Sequence, residues 1–553
     1  MGKTWCVKHV GKWSAILLVV MALLLVAMAF AAWAAPAKPA AKEGGAKAVS
    51  KNKAAEALSG PAAKRPTGYT PTGSVVFATS FPTFNTTGGD PATNIASPPY
   101  TNQTCFDSLV SVSVDRNWIP ALAKAWQVAP DWRYIDFFMR TDVKFSNGDP
   151  VTAEDVKFSL ALYMDKKYKY QFGPMWRRTV KDVEIARPDQ VRIHLNQADW
   201  GFVGRLWWGG GVMPKAYREK VGDEEFAKHP IGAGPFRFVD YKQDQWTTYE
   251  AVPNHYRYTP HVKTVKLLYV PEHSTRLAMY KNGEADMGPL LGAHVKEIQA
   301  DPKMKVFWVK YVTGANIYYA DMVDPKTPSP FLDIRVRHAV GLAIDRENIC
   351  KKVLFGAAEP YGDVLPPITL GYDKTLKPEP YDPEKAKALL REAGYPNGFE
   401  TEMHVGTTDI ISEALSSNLR DIGIKVKVNK WESGAFYDNV FQKKFRGLLP
   451  YVGWYDPERQ APAELSDFYL KGTPHSYYTT DEVDAMLRKA MYATTDADLT
   501  DWGKKISKLV RESYFTTFLW ANHSAYALGP RIKNWTPSLG SLPAIAFETI
   551  ELK

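Results

Sequence analysis

The chain has 553 residues, 45% of them hydrophobic and 23% charged, a composition ordinary for globular proteins but too long for one core. Its formal net charge of +9 lies almost wholly in residues 1–72, where ten basic residues accompany two acidic ones. The rest of the chain is nearly neutral, which excludes the basic surface typical of nucleic-acid-binding proteins.

The first 34 residues have the pattern of an export signal. Three lysines precede the uncharged apolar run Ser14–Ala32, and the small-x-small sequence AWA (32–34) offers a cleavage point. We therefore predict a cleaved signal peptide over residues 1–34 and a periplasmic location. Because the apolar run is long enough to span a membrane, an uncleaved N-terminal anchor is the alternative.

Residues 35–72 are rich in Ala, Lys, Pro and Gly and lack apolar periodicity, which predicts a disordered linker. Two cysteines, Cys105 and Cys350, lie beyond the linker. Export permits a disulfide without requiring one, and their wide separation in sequence favours two buried free thiols.

Beyond residue 72, short strand-like runs alternate with longer helical ones, which predicts a mixed α/β body. Alternating patterns favour strands at 190–195 and 262–270. The clearest helix signal is Asp382–Gly394, which begins with an N-cap Asp and a first-turn Pro and ends at Gly. A second helix over about 410–421 leads into a strand at 423–428.

The stretch DVKFSNGDPVTAEDVKFSL (142–160) contains several acids and hydroxyls, but its spacing indicates scaffold. We expect a strand to end at 142–145 and a turn at 146–149. Thr152 then caps a helix, with Asp155 reaching back to complete a capping box. These acids therefore need no catalytic role.

Patterns of common catalytic sites do not occur in the sequence. It has no G-x-S-x-G nucleophile elbow, and GGG (209–211) is followed by Val-Met-Pro, unlike a phosphate loop. The 11 histidines never fall at H-x-x-x-H spacing. We therefore predict a binding protein and no enzyme, without cofactor or metal, whose aromatic residues (13%) line a pocket as well as the core.

The segment ALAKAWQVAPDWRYIDFFMRTDVKFSNGDPVTAEDVKFSL (121–160) resembles the signature block of the peptide/nickel-type extracellular solute-binding proteins of ABC importers, solute-binding family five. The family block contains A-x-x-W, Asp, F-x-L-R and F-x-x-G-x-P-(V/L)-T-A-x-D-V. The corresponding residues here are Ala123–Trp126, Asp131, Phe137–Arg140, with Met in place of Leu, and Phe145–Val156.

Further blocks follow in the family's order, at 231–236 (IGAGPF), 254–256 (NHY), 335–346, 382–394 and 422–424. The resemblance covers about 75–553. It implies a mixed α/β fold of the periplasmic-binding-protein type, with two lobes, a ligand cleft and an extra inserted domain. The implied boundaries are lobe I at 73–110, 205–270 and 509–553, the inserted domain at 111–204, and lobe II at 271–508.

The resemblance also implies a ligand-binding segment. Gly453, Trp454, Tyr455 and Asp456 resemble, in compressed form, the family segment whose Asp pairs with the ammonium end of a peptide. Trp454 would then pack over the ligand. The alternative is that Asp456 starts an Asp-Pro turn.

Other cleft residues are implied by position. Dipeptide-binding members carry an Arg after the strand equivalent to 402–405, whereas this sequence continues through Thr407 without one. Asn94 and Ser97 would lie on a loop facing the cleft. Trp431 and Tyr437 would lie in the wall of lobe II, with core packing as the alternative.

The resulting function is that of the substrate-binding component of an ABC importer, which captures a peptide or peptide-like solute and delivers it to permease and ATPase subunits. The missing Arg leaves longer peptides, sugars, opines and metal chelates open. A sensory or chaperone-like binding protein of the same fold is a further alternative.

Overall fold

A computed structural model describes residues 70–80, 89–93, 103–112, 118–168, 170, 173–197, 199, 201–406, 410–454, 465–466, 468–473, 475–491, 493, 495–537 and 546–553. The predicted signal peptide and nearly all of the predicted linker lie outside these residues. No helix within the described part of the chain is both long and apolar enough to cross a membrane.

The strands of the described residues are, in chain order, β1 (Thr72–Thr79), β2 (Val110–Val112), β3 (Trp118–Pro120), β4 (Ala123–Val128), β5 (Tyr134–Met139), β6 (Val180–Arg187), β7 (Gln190–Leu195), β8 (Phe236–Lys242), β9 (Trp246–Ala251), β10 (Val262–Tyr269), β11 (Met287–Leu290), β12 (Lys305–Tyr319), β13 (Ala358–Pro360), β14 (Phe399–Gly406), β15 (Ile424–Trp431), β16 (Leu448–Trp454), β17 (Thr516–Leu528), β18 (Ile532–Asn534) and β19 (Glu551–Leu552).

The α-helices are Ala153–Met164, Gly173–Thr179, Phe202–Gly209, Lys215–Val221, Asp223–Lys228, His273–Asn282, Val295–Ala300, Ile334–Ala343, Arg346–Asn348, Pro383–Glu392, Ser412–Asp421, Ser433–Phe441, Asp481–Ala490 and Asp496–Glu512. Shorter 3₁₀ turns and one π-helical turn, Ile349–Val353, complete the regular structure of the described residues.

One large mixed sheet runs through the body in the order β15-β14-β16-β12-β17-β11-β1-β10-β9-β8, and β13 also pairs with β17. A separate antiparallel sheet has the order β4-β5-β7-β6. Strand pairs β1/β10, β14/β15 and β14/β16 are parallel, whereas β12 is antiparallel to both β16 and β17.

Two large hydrophobic cores lie along the large sheet. Core 1 contains side chains from β1, β9 and β10 together with the four-stranded sheet, and core 2 contains side chains between residues 315 and 521. Alternate strand residues point to opposite faces, so each part of the sheet has a second cluster on its other face. Ala78, Tyr280 and Ala527 belong to such a cluster next to core 1.

The capping box predicted for the helix after residue 152 is confirmed. Asp155 N–H donates to Thr152 Oγ1 over 3.4 Å, and Thr152 N–H donates to the Asp155 carboxylate over 2.8 Å. The predicted strand at 142–145 is wrong, since β5 ends at Met139 and the segment makes only an isolated bridge between Lys144 and Pro150. Its apolar side chains are buried without a neighbouring strand to pair with.

Other local predictions are confirmed within a few residues. Asp382 caps the helix Pro383–Glu392 by accepting from Lys385 N–H, and the strand at 190–195 is β7. The predicted helix at 410–421 spans Ser412–Asp421, and β15 extends three residues past the predicted end at Val428.

The IGAGPF block (231–236) has a packing function. A Cβ on Gly232 would lie 2.0 Å from the carbonyl oxygen of Cys105, and Gly234 N–H donates to the same oxygen over 2.8 Å. The close approach requires glycine at this position. Cys105 and Cys350 are both buried and free, as predicted, and burial raises the pKa of each thiol to about 12.

Candidate functional site

Three parallel strands of the large sheet end at one edge. Gly406 of β14 is in register with Trp431 of β15, and Met403 of β14 is in register with Leu448 at the start of β16. The carboxyl ends of β14, β15 and β16 therefore point the same way. Ligands of open α/β sheets bind outside the carboxyl ends of strands, so this edge is a candidate binding site.

The structure brings several predicted site residues to this edge. Gly453 and Trp454 end β16, Trp431 ends β15, and Tyr437 lies on the helix Ser433–Phe441 that follows β15. The remaining predicted residues lie outside the described residues, namely Asn94, Ser97, Thr407, Tyr455 and Asp456.

Trp431 is partly buried and its indole nitrogen is held by a histidine. The Trp431 Nε1–H donates to Nδ1 of His404 over 3.2 Å. His404 lies on β14 and stacks on the ring of Phe445, with centroids 4.4 Å apart and an interplanar angle of 12°. Trp431 therefore has a fixed orientation, with both a packing contact and a surface that remains open.

His404 is a residue that the sequence analysis missed. Its side chain is 6% exposed, and burial lowers its pKa, so the ring is neutral near neutral pH. Because Nδ1 accepts from Trp431, the ring proton lies on Nε2, which is 3.6 Å from a carboxylate oxygen of Glu402. The available signal was its place on the strand that precedes Thr407.

An aromatic layer lies beneath the strand ends. Tyr437 is 38% exposed and contacts Phe436, Phe441 and Tyr451 at centroid distances of 5.5, 6.0 and 6.4 Å. Further members of the layer are Tyr318, Phe445, Phe468, His475 and Tyr477. Part of the aromatic content of the sequence is thus concentrated at this edge, with Tyr437 and Phe441 exposed.

The same edge contacts the strand pair that links the two cores. Trp454 is in register with Thr313 of β12, which in turn is in register with Asn522 of β17. Asn522 Nδ2 donates to Thr313 Oγ1 over 2.9 Å. The end of β16 is therefore attached by its backbone to the place where the chain passes from one core to the other.

A buried ion pair anchors the chain just before another predicted loop. Arg218 donates to both carboxylate oxygens of Asp90 over 2.8 and 2.7 Å, and the two side chains are 2% and 1% exposed. Asp90 also accepts from Ala92 N–H. This pair fixes the chain four residues ahead of Asn94.

Among the described residues, no group of three or more His, Cys, Asp or Glu side chains is arranged to hold a metal ion. The buried His255 illustrates the structural role of a histidine here. It donates from Nε2 to the Ala233 carbonyl and accepts from Tyr258 N–H at Nδ1. Burial lowers its pKa to about 4.

Comparison with known proteins gives one family and consistent relatives. The model of the bacterial extracellular solute-binding proteins, family 5 Middle, matches residues 117–475, well over half of the chain. Heme-binding protein A of Haemophilus influenzae is 28% identical over 460 residues, covering 76% of this chain and 82% of that protein. Glutathione-binding protein GsiB of Pectobacterium atrosepticum is 27% identical over 411 residues, covering 71% and 78% respectively.

A solved structure has the same fold. The ABC transporter-associated periplasmic binding protein DppA from Helicobacter pylori, in complex with peptide STSA, aligns with a TM-score of 0.73 and 24% identity. The alignment covers 87% of this chain and 98% of that one. The predicted mixed α/β fold of the periplasmic-binding-protein type is therefore confirmed.

Proposed function

We propose that this chain, which belongs to family 5 of the bacterial extracellular solute-binding proteins, captures a peptide or peptide-like solute for an ABC importer. The chain is a binding protein and not an enzyme, as predicted. Its proposed partners are the solute and the permease and ATPase subunits that take it up. Cleavage of a signal peptide at residues 1–34 is part of the same proposal.

The observation that carries this proposal is the meeting of the β14, β15 and β16 ends with the strand pair that joins the two cores. A solute bound there would contact both sides of a closing molecule, and its preference for the closed form would drive closure. The permease would then receive the closed, loaded form.

Peptide-like chemistry is supported by the groups at this edge. The ends of strands supply backbone donors and acceptors for an extended main chain, and aromatic rings such as Trp431 and Tyr437 supply apolar contact. Among the relatives, one is named for glutathione and one solved structure contains the peptide STSA. In the proposed site Asp456 pairs with the ligand ammonium.

The division into lobes is also a proposal. We place the crossing from lobe I to lobe II on β12 between Val312 and Ala315, and the return on β17 between Ala521 and Ala525, because core membership changes there. This assigns 271–304, predicted as lobe II, to lobe I. The sheet β4-β5-β7-β6 and its helices form the inserted domain.

A thermal-shift panel tests the solute class. The purified protein is mixed with di-, tri- and tetrapeptides, glutathione, hemin and a nickel–histidine chelate, each at several concentrations. We expect concentration-dependent stabilisation by at least one peptide or glutathione, since a ligand that binds the folded state raises the melting temperature. Stabilisation by hemin or the metal chelate alone would contradict the peptide proposal.

A further inference from the structure

Strands β12 and β17 pass through both cores. On β12, Val309 and Val312 belong to core 1, whereas Ala315 and Ile317 belong to core 2. On β17, the residues Phe518–Ala521 belong to core 2, and Ala525–Leu528 pack in core 1 or in the cluster on its other face. Any movement of one core relative to the other must therefore bend this strand pair between these positions.

The hydrogen-bonded ladder between β12 and β17 is interrupted at one position. Val309 is in register with Ser524, but the next paired residues are Thr313 and Asn522. Three residues of β12, Lys310–Val312, thus lie opposite His523 alone. Such a bulge locally weakens the ladder and increases the twist.

Strand pairing along the other side of β17 is interrupted next to the same residue. β11 ends with Leu290 in register with Ala525, and β13 begins with Ala358 in register with Asn522. These two strands, one from each core's side, therefore leave His523 and Ser524 without a register partner, and of the two only His523 also lacks one on β12. A β17 residue that lacks a continuous ladder on both sides is the natural position of a hinge.

His523 connects the two sides of this interruption. Its ring Nδ1 accepts from the backbone N–H of Tyr311 over 3.2 Å, and its backbone N–H donates to the Ala357 carbonyl over 2.7 Å. Tyr311 has a φ of +58°, a left-handed conformation that is unfavourable for a residue of its size. The hydrogen bond that Tyr311 N–H donates to His523 Nδ1 therefore helps to hold Tyr311 in this conformation.

A carboxylate completes the arrangement. Glu359 of β13 has an oxygen 3.6 Å from His523 Nε2, and burial together with a hydrogen bond to Glu359 raises the pKa of the Tyr311 hydroxyl. The rings of Tyr311 and His523 meet edge to face with centroids 5.2 Å apart. We call Tyr311, His523 and Glu359 the hinge cluster.

We propose that the hinge cluster sets the equilibrium between open and closed forms, and that protonation of His523 releases it. With Nδ1 as acceptor, the neutral ring carries its proton on Nε2, towards Glu359. A proton taken from water onto Nδ1 removes the acceptor from Tyr311 N–H while strengthening the contact with Glu359. Tyr311 then loses the bond that holds its left-handed conformation.

The groups around His523 determine the pH at which it takes up a proton and releases the hinge. The ionisable groups that face it are Glu359 from β13 and Lys310 and Tyr311 from β12, while its neighbours on β17, Asn522 and Ser524, are uncharged. Burial lowers the pKa of His523, so release requires a pH below the ordinary imidazole value of about 6.5. The inference rests on the proposed movement of two lobes and is independent of the ligand class.

A glycine beside the hinge cluster provides a second way to disturb the hinge. A Cβ on Gly292 would lie 2.9 Å from the Leu354 carbonyl oxygen and 3.3 Å from Ala357 Cβ. Gly292 follows β11, and Leu354 packs against core 2. A side chain at residue 292 would thus push the segment after β11 away from Leu354 and Ala357.

The test measures the distance between the lobes in protein that has been freed of bound solute by unfolding and refolding. Nitroxide labels are attached at Lys242→Cys, at the end of β8, and Lys385→Cys, on the helix Pro383–Glu392, both exposed positions. Cys6 is replaced by Ser. The buried Cys105 and Cys350 resist labelling because burial raises their pKa to about 12. Pulsed electron resonance then gives the distance distribution at neutral and mildly acidic pH.

We expect the distribution of the otherwise wild-type protein to shift by more than about 2 Å on acidification, the scale of domain rearrangements. His523→Gln, which keeps hydrogen-bonding groups but does not titrate, should remove this pH dependence, and Gly292→Ala should shift the distribution at neutral pH. An unchanged distribution in the unsubstituted hinge on acidification, or equal pH dependence in His523→Gln, would overturn the proposal. Because no ligand is present, these outcomes are separate from failure of the peptide proposal.

Discussion

The indole nitrogen of Trp431 donates a hydrogen bond over 3.2 Å to Nδ1 of His404, across the neighbouring parallel strands β15 and β14. Trp431 was predicted as a site residue from the family resemblance, whereas its hydrogen-bond partner His404 was not predicted from the sequence. It orients the Trp431 ring at the carboxyl ends of three strands, where we propose that the solute binds.

Replacement of Trp431 by Phe should lower the free energy of unfolding by about 1–3 kcal/mol, because the buried His404 Nδ1 then lacks a donor. Urea unfolding measures the change. In the double variant His404→Leu/Trp431→Phe both partners are gone, so its loss should be smaller than the sum of the two single losses. Additive losses would show that the hydrogen bond contributes no coupling.

The Asp90–Arg218 pair predicts a contrast between two aspartates that contact the same arginine. Asp90→Ala leaves Arg218 buried without its main partner and should cost about 3–5 kcal/mol of stability. Asp223 also contacts Arg218, at 3.2 Å, but its side chain is 37% exposed. Asp223→Ala should therefore cost about 1 kcal/mol or less.

Chemical denaturation of the two variants gives both values. Similar losses for Asp90→Ala and Asp223→Ala would contradict the structural account of this anchor. Since Asp90 precedes the segment with Asn94 and Ser97, Asp90→Ala should also weaken solute binding at temperatures where the variant is folded.

His255 predicts a pH dependence with a definite sign. Its pKa is lowered from 6.5 to about 4 in the folded protein, so below pH 6.5 the unfolded chain takes up a proton that the folded chain does not. Its contribution to stability therefore falls with decreasing pH from about 6.5 to about 4, by about 3 kcal/mol at 1.36 kcal/mol per pH unit.

The variant His255→Asn isolates this contribution. The difference in unfolding free energy between wild type and variant should shrink by that amount between pH 7 and pH 4. The comparison is needed because burial raises the pKa of Asp363 to about 6, and this carboxyl contributes with the opposite sign between pH 4 and pH 6. A difference that is constant with pH would contradict the buried, neutral state of His255.

For Asp456→Ala we expect a loss of about 2–5 kcal/mol in the binding free energy of a peptide with a free amino terminus. The reason is the loss of one partner of a buried charged pair. Titration calorimetry with the free peptide and its N-acetylated form provides the control, since the acetylated form lacks the ammonium. Equal affinities of wild type and variant for the free peptide would remove Asp456 from the site.

Features set by neighbouring residues were predictable from sequence. The N-caps at Thr152 and Asp382 and the strand β7 follow from local hydrogen bonding and alternation, and the structure confirms them. The error at 142–145 arose because Val143 and Phe145 alternate as in a strand, yet they are buried without a paired neighbour. Alternation reports burial on one face and does not by itself supply a partner strand.

Features set by distant residues were not predictable without the fold. The bulge opposite His523 depends on the register between strands about 210 residues apart, and no short motif marks it. Similarly, His404 meets Trp431 because two parallel strands lie side by side. The family resemblance pointed to the segment at 453–456 but contained no information on these contacts.

Native mass spectrometry of protein purified without denaturation tests the central claim most directly, because a bound solute adds its own mass to that of the protein. We predict an adduct that dissociates on unfolding and whose fragmentation gives a short peptide or a glutathione-like compound. An adduct identified as a heme, a sugar or a metal chelate, in a protein that no peptide stabilises, would contradict the claim.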